Sequence, residues 1–478
     1  MIRAGVDHAP YLERAFSGEP REGSWPIEEI EGRIPSFVRG TGYSNGPARF
    51  ARGGFRYGHW LDGDGMVAAL RFDGTGARLT CRFVRTRKLV EEEAAGRPLF
   101  RTFGTAFPGD RLVRGVALAS PANVSVVPFG NALLALGEQG LPWRLDPVSL
   151  ETRGEETFGG ELNEVTPFAA HAKLDAATGE LVGFGVSYAG AESQLHLYRF
   201  DRQGALACRR RLRLEHPCSV HDFGLSERFA VFHLGPYLLD VERLVRGGAS
   251  VMDALCWRPE LGSRLRIVSR ESGQEAASVA LDGAYCLHLV NCFERGEDVL
   301  VVDLVEYERP LYDQYRPLPD LFPDAPRGRP TRFVIDLRAG AIRERRTIAY
   351  DRAPDFPAID TRRAQRACGE LWMLGLSAAG RPGRKFFDEL VHARWDEPER
   401  PVVFTAPKGR YFAGEPVFIP EPGERPGGLL LCPVFDAAEA RSSFLLFDAH
   451  DIPSGPLATL RLPHPLRLGF HAVFRPEV

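Results

Sequence analysis

Short β-rich runs joined by turns that contain aspartate or glycine recur from one end of this 478-residue chain to the other. Val67–Phe72 turns through Asp73-Gly74-Thr75-Gly76 into Arg78–Val84. Ala132–Leu136 returns at Trp143–Leu145, Phe168–Leu174 at Leu181–Val186, and Leu195–Phe200 at Leu206–Leu214. Farther on, Leu265–Ser269 returns at Ala276–Leu281, Arg332–Leu337 at Ile342–Ile348, and Ser443–Asp448 at Leu457–Leu462. The connecting residues are those that tolerate the positive φ of a tight turn. Apolar residues at helical spacing are scarce, and only Leu238–Leu244 and Lys385–His392 predict short helices. About seven hairpins filling one chain predict an all-β fold, and a seven-bladed β-propeller accommodates them better than a sandwich.

Nothing in the chain reads as a linker. Pro310–Pro330 is rich in proline, but Tyr312, Tyr315, Leu318, Leu321 and Phe322 are interleaved with the prolines. That mixture predicts a packed cover and not a free tether. Residues 1–478 are therefore read as a single propeller domain. The stretches 306–330 and 361–400 are read as inserted loops forming a dome over one face.

Composition excludes several classes. Hydrophobic residues make up 44 % of the chain, enough for a large core. The net charge of −3 comes from interspersed acids and bases, so the basic patch of a nucleic-acid binder is missing. The densest basic run, Arg209-Arg210-Arg211, reads as a solvated strand face. Eight cysteines form no C-x-x-C pair, and several sit in apolar runs such as Leu429–Val434. The first residues, MIRAGVDHAPYLERAF, lack the apolar core of a secretory signal. The expectation is a reducing, cytoplasmic setting. No apolar run is long enough to span a bilayer.

Four of the twelve histidines share a setting: His171 in PFAAHAKLD, His221 opening HDFGLSERFAVF, His288 in CLHLVNCFE and His471 in LGFHAVF. Any one of them alone would most often be a core or surface side chain. Three carboxylates occupy equally apolar places, namely Glu138 in LLALGEQGLPW, Asp355 in APDFPAID and Glu415 in AGEPVFIP. A carboxylate is costly to bury without a partner. A metal-bound imidazole usually passes its second N–H to such an acid. Four imidazoles around one metal, backed by three acids, would satisfy all seven groups. Other metal patterns are missing: there is no H-E-x-x-H, no zinc spacing of Cys and His, and no His-x-Asp/Glu. Asp62-Gly63-Asp64-Gly65 lacks the remaining ligands of a calcium loop and reads as a tight structural turn. Neither a G-x-S-x-G elbow nor a Walker loop is present.

With RGTGYSNGPARF (39–50), HWLDGDGM (59–66), RFVRT (82–86), HLVNCFE (288–294), GEPVFIP (414–420) and the histidine segments in one order, the chain resembles the carotenoid cleavage oxygenases. That family includes bacterial apocarotenoid oxygenases and the retinoid isomerase of the retinal pigment epithelium. The resemblance runs from about Arg33 to the C-terminus. It implies a seven-bladed propeller with a helical and loop dome, and Fe(II) on the axis held by His171, His221, His288 and His471. It implies that Glu138, Asp355 and Glu415 support His221, His288 and His471 respectively, which leaves His171 without an assigned carboxylate. The implied reaction is oxidative cleavage of one C=C bond of a hydrophobic small molecule by O2, giving two carbonyl products.

Three departures from the family pattern stand out. Asp355 replaces a glutamate, Ala172 replaces the proline after the first histidine, and Glu421–Gly428 replaces an acidic EDDG run. The stilbene-cleaving branch carries a lysine just before the first supporting glutamate. Gly137 stands there, at the expected substrate cavity, which favours a polyene such as an apocarotenoid over a hydroxystilbene. The counterpart of the family's membrane-facing segment, Arg101–Leu118, carries Asp110, Arg111 and Arg114. The expectation is a monomer with weak peripheral membrane contact. Two further readings remain: a stilbenoid- or phenylpropene-cleaving dioxygenase, and a non-catalytic polyene-binding propeller that kept the tunnel and lost the metal.

Overall fold

The computed structural model describes residues 7–188, 192–423 and 427–477; Glu424, Arg425 and Pro426 of the replaced acidic run lie outside them. Seven antiparallel sheets form the blades of a propeller. Blades two, three, five and six each use four consecutive strands; blade four also has four, but the separate pair Tyr237–Leu239 and Leu255–Trp257 falls between its second and third. Blade two runs Ser125–Phe129, Ala132–Leu136, Trp143–Leu145 and Thr152–Glu155. Blade three runs Lys173–Leu174, Leu181–Ser187, Gln194–Phe200 and Leu206–Arg213. Blade four runs Gly224–Leu225, Phe229–Leu234, Ser263–Ser269 and Glu275–Leu281. Blade five runs Tyr285–Glu294, Val299–Tyr307, Gly328–Asp336 and Ala341–Thr347. Blade six runs Asp355–Ala358, Glu370–Gly375, Glu389–Arg394 and Val402–Thr405.

The remaining two blades close the ring. Blade one pairs Gly23–Pro26, Ala77–Phe83, Asp64–Asp73 and Arg39–Arg49 in spatial order, and the C-terminal strand Ala472–Pro476 completes it. Its register runs from Gly40 opposite Pro476 to Ser44 opposite Ala472. In blade seven, Arg410–Phe412 and Val417–Pro420 both pair with Gly428–Asp436, followed by Arg441–Asp448 and Pro456–Arg461. The N-terminal strand Glu29–Gly32 forms its other edge. Both chain ends are thus sewn into neighbouring blades, which leaves no open end to the ring.

Burial explains the sequence pattern. Ala77–Phe83 alternates buried and exposed residues, the signature of a strand with one covered face. The strand Val299–Tyr307 differs: every residue from Leu300 to Tyr307 is buried, because neighbouring strands and blades cover both faces. The apolar side chains fill wedges between adjacent blades, for example Phe184, Phe223 and Phe232 between blades three and four.

The stretch between Tyr307 and Gly328 is a cover, with a short 3₁₀ turn at Tyr312–Tyr315. Tyr312, Tyr315, Leu321 and Phe322 are buried in one cluster with Trp60 and Phe386. Trp60 lies with its ring centroid 5.5 Å from Tyr315 and 4.3 Å from Phe470, and so ties the cover to blade one. The second expected insertion, 361–400, needs correcting. It contains two strands of blade six, Glu370–Gly375 and Glu389–Arg394, and residues 376–388 form the connection between them. The helix expected at Lys385–His392 is absent for the same reason, because Glu389–Arg394 pairs with strands on both sides. A strand buried on both faces loses its alternation and resembles a buried helix in sequence. Of Leu238–Leu244, only Val241 onward is helical; that helix runs Val241–Val245 and is capped by Asp240, whose side chain accepts from Arg243 N at 2.9 Å.

The hairpin count also maps differently. Blade three holds two of the seven expected hairpins, and blade six holds none. The long connection in blade six carries no tight-turn signal. Among the described residues, no helix is long and apolar enough to cross a membrane.

A buried charge cluster anchors the helix Arg87–Ala95 to blade one. Lys88 Nζ donates to Asp64 at 2.7 Å and to Glu92 at 3.1 Å, and sits 4.7 Å from the Tyr57 ring centroid. Arg52 also donates to Asp64, at 2.6 Å. Asp62 accepts from Gly104 N at 2.8 Å, so the Asp62–Gly65 turn is structural. Lys88→Met leaves two buried carboxylates short of a cation and should lower stability by about 3–5 kcal/mol. Tyr57→Phe removes one hydrogen bond to Glu92 and should cost about 1 kcal/mol. Urea unfolding of both variants checks the contrast, and equal losses would show that Lys88 does not anchor this helix.

Candidate metal centre

The four histidines occupy equivalent places in four blades. His171 and His221 come just before the inner strands of blades three and four, His288 lies within the inner strand of blade five, and His471 directly precedes that of blade one. The same end of each inner strand meets its counterparts at the axis, so residues far apart in the chain converge. Small residues make room: Ala169 and Ala170 are buried just before His171, and Ala169 N donates to Phe184 O at 2.7 Å. His471 N donates to Val124 O at 3.2 Å, which ties blade one to the start of blade two.

One ring nitrogen from each of the four lies within 4.8 Å of all the others. Metal–imidazole bonds are about 2.0–2.1 Å, so opposite ligands of one ion lie about 4 Å apart, and this cluster fits such an ion with little contraction. His221 and His288 are 7 % and 4 % exposed. His171 Nε2 is 3.0 Å from His221 Nε2. His288 Nε2 is buried and has no hydrogen-bond partner among the described residues. An orphaned buried nitrogen is costly unless a cation takes its lone pair.

Three carboxylates hold the other side of the rings. Glu138 Oε2 accepts from His221 Nδ1 at 2.7 Å, and Asp355 Oδ1 accepts from His288 Nδ1 at 2.5 Å. Glu415 Oε2 lies 3.4 Å from His471 Nδ1 and accepts from Ala472 N at 3.0 Å. With Nδ1–H committed outward, Nε2 presents its lone pair inward. Among the described residues His171 has no such bond; Asp222 Oδ1 lies 3.7 Å from its Nδ1.

Asp355 makes direct contact although its side chain is one methylene shorter than glutamate. The backbone supplies the reach. Ala353 and Phe356 have φ of 47° and 52°, and the pairing with the next strand breaks register between Asp355 and Ala358. Two non-glycine residues in the left-handed region cost energy that the surroundings must hold. Tyr307 O–H donates to the Pro354 carbonyl and pins this segment.

Burial and charge set the protonation preferences. Burial, and then the three other imidazoles and Lys173, push His171 well below the ordinary histidine range. Burial also lowers His471, with Glu415 opposing it in part. For His288 burial acts downward, but the Asp355 carboxylate outweighs it and the net shift is upward. Neutral imidazole is the form that binds metal.

Two residues of this centre were not foreseen in the sequence. Tyr312, from the cover, donates its O–H to Glu138 Oε1 at 3.0 Å, so the dome holds the carboxylate that holds His221. Asp222 is the other; its only sequence signal is its place next to His221. Gly137 does not line a cavity as expected. It is packed behind Glu138, and a Cβ there would collide with Ser120 Oγ. Just past the strand Ala132–Leu136, the Glu138 side chain reaches His221, whereas the Cβ position of Gly137 faces Ser120. The cavity that approaches the centre has a volume of about 340 Å³ and is walled by Phe103, Val116, Phe168, Tyr188, Leu239 and Leu255. It reaches Glu138, Ala169 and Val220, beside His171 and His221.

A seven-bladed propeller with four histidines converging on its axis forms a candidate non-haem metal site. The family model described as retinal pigment epithelial membrane protein matches residues 17–476. The chain belongs to this family, that of the carotenoid cleavage oxygenases, and is an oxygenase of it. It is 29 % identical over 471 residues to apocarotenoid-15,15'-oxygenase of Synechocystis, covering 96 % of this chain and 94 % of that protein. It is equally 29 % identical, over 463 residues and 94 % of both chains, to isoeugenol monooxygenase of Pseudomonas nitroreducens. The solved structure of cobalt-substituted Synechocystis apocarotenoid oxygenase superposes with a TM-score of 0.88 at 26 % identity, over 99 % of this chain and all of that one.

Glu138→Gln should weaken metal retention by about 10–100-fold, because the amide supports the His221 tautomer poorly. Tyr312→Phe leaves the Glu138–His221 bond in place and should cost less. Competition against a chelator measures both, and an equal loss in the two variants would show that the His221 bond is not what matters.

Proposed function

We propose that this chain is a non-haem Fe(II)-dependent dioxygenase that cleaves one C=C bond of a conjugated polyene, a carotenoid or apocarotenoid, with O2. The observation that carries this reading is the set His171, His221, His288 and His471, four imidazoles with no carboxylate among them. Iron held by such neutral ligands would keep its full positive charge and open positions, and would supply binding and activation of O2.

The chain's own residues do the rest. Glu138, Asp355 and Glu415 orient His221, His288 and His471. Tyr312 holds Glu138 and couples the cover to the centre. The mainly apolar cavity excludes water and aligns one double bond of a hydrophobic substrate beside His171 and His221. One alkene and one O2 balance two carbonyl products with no proton gained or lost, so no side chain needs to act as acid or base.

A polyene is favoured because no lysine stands beside the first supporting glutamate, where Gly137 is packed away. The second reading is a stilbenoid or phenylpropene substrate. It is favoured by the equal identity to isoeugenol monooxygenase. A non-catalytic polyene binder would leave His288 Nε2 orphaned in the core to no purpose. Eight unpaired cysteines support a reducing, cytoplasmic setting, and closure of the ring within one chain supports a monomer. The cavity mouth at Arg114–Leu118 is the surface through which an apolar substrate would enter, with weak peripheral contact to a membrane.

Anaerobically iron-loaded protein, given O2 and a panel of apocarotenals, hydroxystilbenes and isoeugenol, should yield paired carbonyl fragments from the apocarotenals by mass spectrometry. Products from the phenolic compounds alone would move the assignment to the second reading, and none from the whole panel would remove the dioxygenase. His221→Ala should lose bound iron while its thermal unfolding stays close to that of the wild type. Unchanged iron content in that variant would overturn the ligand set.

A further inference from the structure

We propose that Asp222 is a fourth supporting carboxylate of the centre: it positions His171, and Lys173 sets how strongly it does so. The proposal rests on the metal-centre reading above and concerns the one histidine that the three glutamate and aspartate partners leave alone.

Asp222 is buried, with a side chain only 2 % exposed. Its Oδ1 accepts from Phe223 N at 2.7 Å, forms an ion pair with Lys173 Nζ at 3.0 Å, and lies 3.7 Å from His171 Nδ1. Its Oδ2 accepts from Leu289 N at 2.8 Å. The carboxylate therefore touches three ligand-bearing segments. It follows His221 in blade four, takes the amide next to His288 in blade five, and faces both His171 and Lys173 of blade three. His171 and Lys173 are two residues apart in nearly extended chain, so their side chains leave the same face and meet the same oxygen.

The distance to His171 is too long for a hydrogen bond but well within the range at which a buried charge acts on an imidazole. Lys173 competes for that charge. Its side chain is 28 % exposed, with Nζ 5.6 Å from the Phe223 ring centroid, so it reaches the carboxylate from the solvent side. The two roles give opposite signs. Removing the negative charge of Asp222 should weaken the hold of His171 on a metal. Removing the positive charge of Lys173 frees Oδ1 for His171 and should strengthen it. A purely structural role predicts no such opposition, since both changes would then only loosen packing.

The test uses cobalt(II), with affinity read by chelator competition and coordination read from the visible d–d bands. Asp222→Asn should bind cobalt(II) about 10-fold more weakly with shifted bands. Its single amide oxygen can still accept from Leu289 N but not also from Phe223 N, so thermal unfolding of the variant is measured alongside. Lys173→Met should bind more tightly than the wild type by a few-fold, also with altered bands. The proposal is overturned if Asp222→Asn stays within twofold of the wild type with the same bands, or if both variants weaken binding with wild-type bands. Should Asp222→Asn not fold, Lys173→Met decides: tighter binding with altered bands supports the role, and unchanged or weaker binding removes it. A wild-type chain that takes up no cobalt(II) would instead sink the metal centre itself, and this role with it.

Discussion

The hydrogen bond between a carboxylate largely withdrawn from solvent and a buried imidazole is the interaction on which this centre depends. Two such bonds and one longer contact cross between blades. Glu138 follows a strand of blade two and holds His221 of blade four; Asp355 of blade six holds His288 of blade five; Glu415 of blade seven holds His471 of blade one. A lone carboxylate in these positions would be costly to desolvate, and so would a lone imidazole nitrogen. Paired, they satisfy each other and direct the remaining lone pairs to the axis. The ring of blades and the ring of histidines are therefore the same construction, because a blade that moved would break a carboxylate–imidazole contact.

The cover is part of that construction. Tyr312 binds Glu138, while His59 Nε2 meets the Tyr312 carbonyl at 2.9 Å and Trp60 packs against Tyr315. A chain of contacts thus runs from blade one through the dome to His221. The Asp355 departure shows the same coupling at the backbone level. A side chain one methylene short is accommodated by two left-handed residues and a register break, and Tyr307 holds that geometry from blade five.

Much of the fold was legible in the hairpins, since a tight turn needs particular residues and a half-covered strand needs alternation. The misreadings came where those signals fail. Blade six has its central strands joined by the long connection 376–388 and buried on both faces, so neither turn nor alternation marks it. Lys385–His392 then looked helical. Blade three yields two hairpins because both its inner and outer pairs have tight turns. At the site, the four histidines and three acids could be picked out because polar groups in apolar runs demand an explanation. Tyr312 and Asp222 could not. A tyrosine among other aromatics in a proline-rich cover carries no mark of its partner, and an aspartate beside a histidine is silent about which neighbouring blade it faces.

The sequence by itself determined the all-β class, the closure-ready length and the set of seven polar residues whose burial calls for partners, because these follow from local turn chemistry and from the cost of desolvating charge. Only the tertiary structure decided which acid meets which imidazole at what distance, that Gly137 turns away from the cavity, and that His171 faces Asp222 and Lys173. Those outcomes depend on blade register and on the direction in which each strand end points at the axis. Registers between strands far apart in the chain are set by packing across the whole ring, and no local stretch of residues encodes them.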